Sequence, residues 1–118
     1  MSQSAFEKIG GDKAADKIVI LFYSKVLQDP HISHFFDEID IIAQIAHQKK
    51  FLKYALCEMP YPGKSLRKAH EHLNLDESHF DAVIDHFKET LTEVGLPTHT
   101  ITEVMAILRA TRDDVLNL

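Results

Sequence analysis

Residues 41–56 read IIAQIAHQKKFLKYAL, with no glycine or proline to interrupt them. Taken as a helix, the stretch carries an apolar row at Ile41, Ile45, Leu52 and Ala55, the period of a core-facing side. Gln48 completes that row, so an amide stands where an apolar side chain belongs. Gln44, His47 and Phe51 lie on the same or the adjoining face. An amide buried without partners costs roughly 1–3 kcal/mol. The stretch therefore predicts a helix whose inner face needs something polar to meet.

Little else in the totals is unusual. A chain of 118 residues with 45% hydrophobic and 26% charged side chains fits one ordinary globular domain over 1–118. Its formal net charge of −5 leaves no basic surplus for phosphates and argues against nucleic-acid binding. One cysteine, Cys57, rules out an internal disulfide and suits a reducing compartment. The opening MSQSAFEKIGG lacks the pattern of a signal peptide, and no stretch is apolar enough to span a membrane. The expected setting is cytoplasmic.

Outward from the central helix the chain reads as helix throughout. Ser4-Ala5-Phe6-Glu7 fits a capping box for a short helix ended by Gly10-Gly11. Asp12 is expected to cap the next helix, whose row is Ala15, Ile18, Phe22 and Val26, thickened by Val19 and Leu21. Tyr23 adjoins that row, so its ring can be buried while its hydroxyl seeks a partner. Asp29-Pro30 ends this helix. A short helical piece over 31–36 carries Phe35-Phe36. Residues 59–63, MPYPG, must form a loop. Residues 64–73 offer one or two helical turns with His70 and His72. Asp76 opens a strong helix with Phe80, Val83, Phe87, Leu91 and Val94 on one face, ended by Gly95. Pro97 suits the first turn of a last helix bearing Ile101, Val104, Leu108, Thr111 and Val115.

Four packing helices could form an ordinary bundle. Against that, Tyr23 sits beside one core face, Gln44, His47 and Gln48 cluster on another, and a single histidine, His70, follows the Pro/Gly loop. One ligand on one side and a polar, aromatic pocket on the other suit a planar cofactor better than a bare metal ion. His-x-His at His70 and His72 is a weak zinc pattern, because no further ligand lies at a supporting spacing. His31, His34, His79, His86 and His99 are expected at the surface or at helix ends, and Cys57 as a small apolar filler.

At these residues the sequence resembles the group I truncated haemoglobins, of cyanobacterial type. The resemblance runs nearly end to end. It is carried by Phe6-Glu7-Lys8-Ile9-Gly10-Gly11, Phe22-Tyr23, His34-Phe35-Phe36, Ala46-His47-Gln48-Lys49, Lys68-Ala69-His70 and His79-Phe80-Asp81-Ala82-Val83, and by Asp114-Val115-Leu116-Asn117. Their order and spacing together are the specific signal. The resemblance implies a two-over-two helical sandwich around non-covalent haem b. His70 matches the proximal iron ligand, oriented by a carbonyl near Leu66. Tyr23 matches the distal tyrosine that hydrogen-bonds the bound ligand, Gln48 a supporting glutamine, and Gln44 a residue facing the ligand from the same helix. Phe36 matches an aromatic that packs on the porphyrin. Phe51, Leu66, Leu75 and Phe80 are the remaining expected cofactor contacts. His47 matches a histidine that takes the sixth iron position in the absence of external ligand; on spacing alone it equally fits a boundary residue facing water or a haem propionate.

Two departures are informative. Cys57-Glu58 stands where the family often has Gly-Gly, which bears on how the segment with His70 is hung. Thr111 stands where some members carry a histidine bonded to a haem vinyl group, hence the expectation of haem without a covalent link. The resemblance implies binding of O₂, NO and CO by a monomer. Oxidation of nitric oxide to nitrate with an external reductase, and electron transfer or peroxide handling, remain open alternatives. A small helical interaction domain without haem is the other.

Overall fold

A computed structural model of the chain describes residues 4–57, 70 and 73–116. The expected loop over 59–63, most of the segment 64–73, Leu66 and His72 lie outside the described residues. Among those described, every regular element is helical.

Helix α1, Ala5–Ile9, is held by Ser4, whose Oγ accepts from the Glu7 backbone N–H at 3.2 Å. The same hydroxyl donates to the Glu7 carboxylate at 3.3 Å, so the expected box is present in one direction, and glutamate meets the serine side chain. Gly10 has φ 117°, and a Cβ there would stand 2.8 Å from the Ala14 Cβ, so only glycine fits this junction. Gly10 is itself the N-cap of α2, Gly11–Leu27. Asp12 therefore falls inside the first turn and does not cap the helix as expected.

The buried face of α2 is Ala15, Ile18, Val19, Phe22, Tyr23 and Val26, with Leu21 half-buried. Beyond Asp29-Pro30 the chain makes a 3-10 turn, Ser33–Phe36. Helix α3, Ile41–Leu56, starts where Asp40 Oδ1 accepts from the N–H groups of Ile42 and Ala43. Only Leu52 and Leu56 of α3 are buried; Ile41, Ile45, Gln48 and Ala55 are half-covered.

Helix α4, Glu77–Glu93, buries Phe80, Ile84, Phe87, Thr90 and Leu91. The expected Val83 and Val94 are half-buried, so the inward face is turned toward Ile84. Gly95, at φ 82°, closes α4: its N–H donates to Thr92 and that of Leu96 to Leu91, the paired bonds of a left-handed helix end. Pro97 is the N-cap of α5, Thr98–Arg109, one position before the turn expected for it. The single last helix of the sequence reading is in fact two, because α6, Arg112–Leu116, begins after a break at Ala110 and Thr111. There the Thr111 hydroxyl donates to the Leu108 carbonyl at 2.6 Å, and its N–H to the same oxygen at 3.1 Å. A short polar side chain that competes for a helix carbonyl in this way tightens the last turn.

Helix α2 pairs with α3 and α4 pairs with α5, and α2 against α4 joins the pairs into a two-over-two sandwich. Phe22 and Phe87 stack across that junction, their ring centroids 3.9 Å apart. Surface ion pairs such as Lys49–Asp16 at 3.0 Å and Lys25–Glu93 at 2.7 Å link the same helices at the rim, where each contributes little.

Candidate functional site

The sandwich does not close at one end. A cavity of about 530 Å³ lies between α2, the 3-10 turn, α3, the start of α4 and the break between α5 and α6. It collects residues from distant parts of the sequence. Tyr23 and Phe36 line it from α2 and the 3-10 turn, Gln44, His47, Gln48 and Phe51 from α3. His70, Leu75 and Phe80 line it from the other segment. Of the expected site residues, only Leu66 lies outside the described residues, and with it the carbonyl expected to orient His70.

Tyr23 is the most enclosed polar group of this wall, at 3% exposure. Its ring is held edge-on by Phe22 and Phe36, with centroids at 5.0 and 5.6 Å. Its hydroxyl oxygen accepts from Gln44 Nε2 at 3.1 Å. Burial pushes the phenol up to about 12, and the hydrogen bond from Gln44 offsets this only in part. The group is therefore a neutral hydroxyl at any ordinary pH. Because a phenol has one proton and Gln44 occupies a lone pair, the Tyr23 O–H remains available to donate.

The neighbouring polar residues differ. Gln48 is half-buried and makes no hydrogen bond among the described residues. His47, one residue earlier, is exposed while still lining the cavity. Lys50, Phe35, Ile39 and Thr111 also line it and were not among the expected contacts. Phe35 was visible as half of the Phe35-Phe36 pair, whereas nothing local marks Lys50 or Ile39.

Two histidines assigned to the surface or helix ends are more engaged than that. His79 is a helix-end residue, the third of α4, and its ring also lines the cavity. The available signal was its place three residues after Asp76, where a capping box puts an acceptor. His86, with 17% of its side chain exposed, is not a surface residue: its Nε2 lies 2.7 Å from Asp29 Oδ2, and its buried Nδ1 has no partner among the described residues. The His86 bond, then the His31 N–H, hold the Asp29 carboxyl below the usual carboxylate range. His31, His34 and His99 are exposed as expected. Among the described residues no group of three or more side chains is arranged to hold a bare metal ion, and no helix is long and apolar enough to cross a membrane.

An apolar, aromatic cavity of this size with a few convergent polar groups is the form of a small-molecule or cofactor site. The bacterial-like globin family matches residues 4–117, and the chain belongs to that family. Within it the similarity is to the group 1 truncated haemoglobins. The protein of that name from a Synechocystis strain is 44% identical over 119 residues, 95% of this chain and 96% of that one. The Fe(III) truncated haemoglobin of Tetrahymena pyriformis superposes with a TM-score of 0.90 at 40% identity, covering 97% of this chain and 98% of that one. The cyanomet 2/2 haemoglobin of a Synechococcus species, which carries covalently attached haem, superposes with a TM-score of 0.92 at 39% identity, covering 98% and 100%.

Proposed function

We propose that the cavity holds one haem b, with His70 as its protein ligand, and that the chain binds O₂, NO and CO there. The observation that carries this reading is the Tyr23 hydroxyl: buried at 3% exposure, kept protonated, fed by Gln44 and free to donate inside an otherwise apolar cavity. The residues fit the group. A volume of about 530 Å³ lies within the range of cofactor sites, the aromatic walls suit a flat ring, and an imidazole at His70 is the ordinary globin ligand. Haem held there by His70 would supply an iron atom able to bind a diatomic gas.

The chain's own residues do the rest. Tyr23 donates to a diatomic ligand in the cavity. A hydrogen bond to a charged or strongly polarised acceptor is worth about 1.5–3 kcal/mol, or roughly tenfold or more in retention. Gln44 orients that hydroxyl, and Gln48, unpartnered within the described residues, is a second donor on the same wall. His47 lines the cavity from its exposed side and would be the residue to hold the iron when no gas is bound. Any such occupancy lowers apparent gas affinity by the fraction of closed sites. Thr111 lines the cavity with its hydroxyl committed to the Leu108 carbonyl, so it offers no nitrogen for a covalent bond to haem.

Reconstitution with haem tests the reading. An intense Soret band is expected for the wild type, extractable into acid acetone, and lost or strongly altered in His70→Ala. A protein that takes up no haem would overturn the proposal; haem that resists extraction would overturn its non-covalent part. Ferric and ferrous spectra of His47→Ala decide the second axial ligand, since a low-spin spectrum unchanged by the mutation excludes His47.

A further inference from the structure

The corner of the cavity where α4 begins is capped in an unusual way. Asp76 Oδ1 accepts from the His79 N–H at 3.2 Å, and in return the Asp76 N–H donates to His79 Nδ1 at 3.0 Å. A reciprocal cap normally uses Glu or Gln at that position. Imidazole can fill the role only while Nδ1 carries no proton, so the cap requires the neutral ring with its hydrogen on Nε2.

Three groups surround that ring. The His31 ring stacks on His79 with centroids 4.7 Å apart and planes 27° from parallel. Ser78 Oγ gives its only hydrogen to Asp76 Oδ1 at 2.5 Å, so His31 Nε2, 2.9 Å from that oxygen, must be the donor to it. His31 is thus tied to the same carboxylate through a hydroxyl. Phe35 meets His79 edge-on at 5.1 Å, with His34 stacked behind it. Of the remaining charges among the described residues, Glu77 is paired with Arg112, and the Asp76 carboxylate, 3.3 Å from His79 Nδ1, would favour a proton on that atom. Asp76 is largely exposed and already accepts two hydrogen bonds, so its attraction is screened and shared.

We propose that protonation of His79 at Nδ1 opens the start of α4, and with it the cavity corner formed by Leu75, His79 and Phe80. Nδ1–H would face the Asp76 N–H donor to donor, and the return half of the cap would be lost. The protein's hold on its occupant then weakens as the ring takes that proton. The identity of that occupant rests on the haem reading; the cap itself does not.

Two measurements test this on the wild type, His79→Gln, which keeps an acceptor without a proton-dependent charge, and His79→Glu, which moves the titration into the carboxylate range. By NMR hydrogen exchange, protection of the Asp76 amide, corrected for intrinsic rates, should fall by about tenfold as the His79 ring takes a proton, the equilibrium worth of one lost hydrogen bond. It should stay level in His79→Gln and fall at lower pH in His79→Glu. Transfer of haem to a haem-free acceptor globin should accelerate over the same interval in the wild type and less steeply in His79→Gln. Asp76 protection that is indifferent to His79 titration, or equal slopes in wild type and His79→Gln, would overturn the proposal. Absence of any Soret band would instead overturn the haem reading, and the amide measurement would still decide the cap.

Discussion

Helices α2 and α3 carry similar apolar rows and meet different fates. On α2, Ala15, Ile18, Val19 and Val26 are at most 1% exposed, and Phe22 is sealed against Phe87. On α3 the last turns reach the core through Leu52 and Leu56, but Ile41, Ile45 and Gln48 stop half-covered, Gln48 on the cavity wall. Periodicity reports which side of a helix faces inward, and it does not report what fills the space inside. One helix is finished by its neighbours, whereas the other is finished by whatever occupies the cavity. Tyr23 sits at the seam, with its ring in the first environment and its hydroxyl at the second.

The comparison breaks most visibly in the core. Phe87→Ala should lower stability by about 3–5 kcal/mol, because it removes the ring stacked on Phe22 where the two helix pairs join. Phe51→Ala, on the cavity side of α3, should cost the cofactor-free protein much less, since its ring is already half-exposed. Urea unfolding of both variants without haem provides the check. Similar losses would mean that the cavity wall is as well packed as the core and that the contrast between the helices is false.

At the seam, Tyr23→Phe keeps the ring and removes the hydroxyl. Release of O₂ from the haem-loaded protein should accelerate roughly tenfold or more, from the loss of a hydrogen bond worth about 1.5–3 kcal/mol. Stopped-flow displacement measures it, and an unchanged rate would remove Tyr23 from the ligand's surroundings. The same phenol gives a signed pH effect. Its value rises from 10.0 to about 12 on folding, so the folded state holds the proton more tightly. That contribution is complete below pH 10 and is lost as pH rises toward 12. Wild type should therefore lose stability above pH 10 faster than Tyr23→Phe.

These residues also show what could be read in advance. The burial of α2 and the phase of α3 followed from spacing alone, and the helix ends at Ser4, Asp76 and Gly95 from the capping chemistry of those residues. The break at Thr111 did not, because Thr111 keeps the helical phase of Leu108 and Val115 and only its hydroxyl bond interrupts the turn. His79 and His86 were assigned to the surface or to helix ends because their partners are remote in sequence: His31 stacks on His79 from the segment before the 3-10 turn, and Asp29 reaches His86 across 57 residues. The polar residues of α3 were legible as an anomaly and acquired roles only through the family resemblance. The cavity supports that grouping by bringing Tyr23, Gln44, Gln48 and His70 to one space.

A smaller change sharpens the contrast from the other direction. Gln48→Leu completes the apolar row of α3 and removes a half-buried amide with no partner among the described residues. The cofactor-free protein should gain up to about 1 kcal/mol, as expected when an unsatisfied polar group is exchanged for an apolar one of similar size. The haem-loaded protein should at the same time retain O₂ less well, a trade of function against stability. Thermal unfolding without haem, set beside the O₂ release rate with it, separates the two. A destabilised apo-protein would show that Gln48 already has the partner its position calls for.

The smallest expected effect lies where the end of α2 is tied to α4. Asp29 accepts from the His31 N–H at 3.0 Å and pairs with His86 Nε2 at 2.7 Å, and both hold its carboxyl below the ordinary value of 3.8. A carboxylate whose pKa falls on folding stabilises the folded state above its unfolded value. That stability disappears as pH drops through the lowered one. Asp29→Asn keeps an acceptor for the His31 N–H and for His86 but carries no charge. Near neutral pH the variant should be slightly less stable than wild type, and the gap should close as pH falls below about 4, the unfolded carboxylate range. Urea midpoints at several pH values follow the gap. A difference that stays constant into acid would mean that the ion pair contributes geometry alone. The fixed approach of the 3-10 turn to α4 would then rest on Ile32 and the packing around it, as the dry side of α2 does.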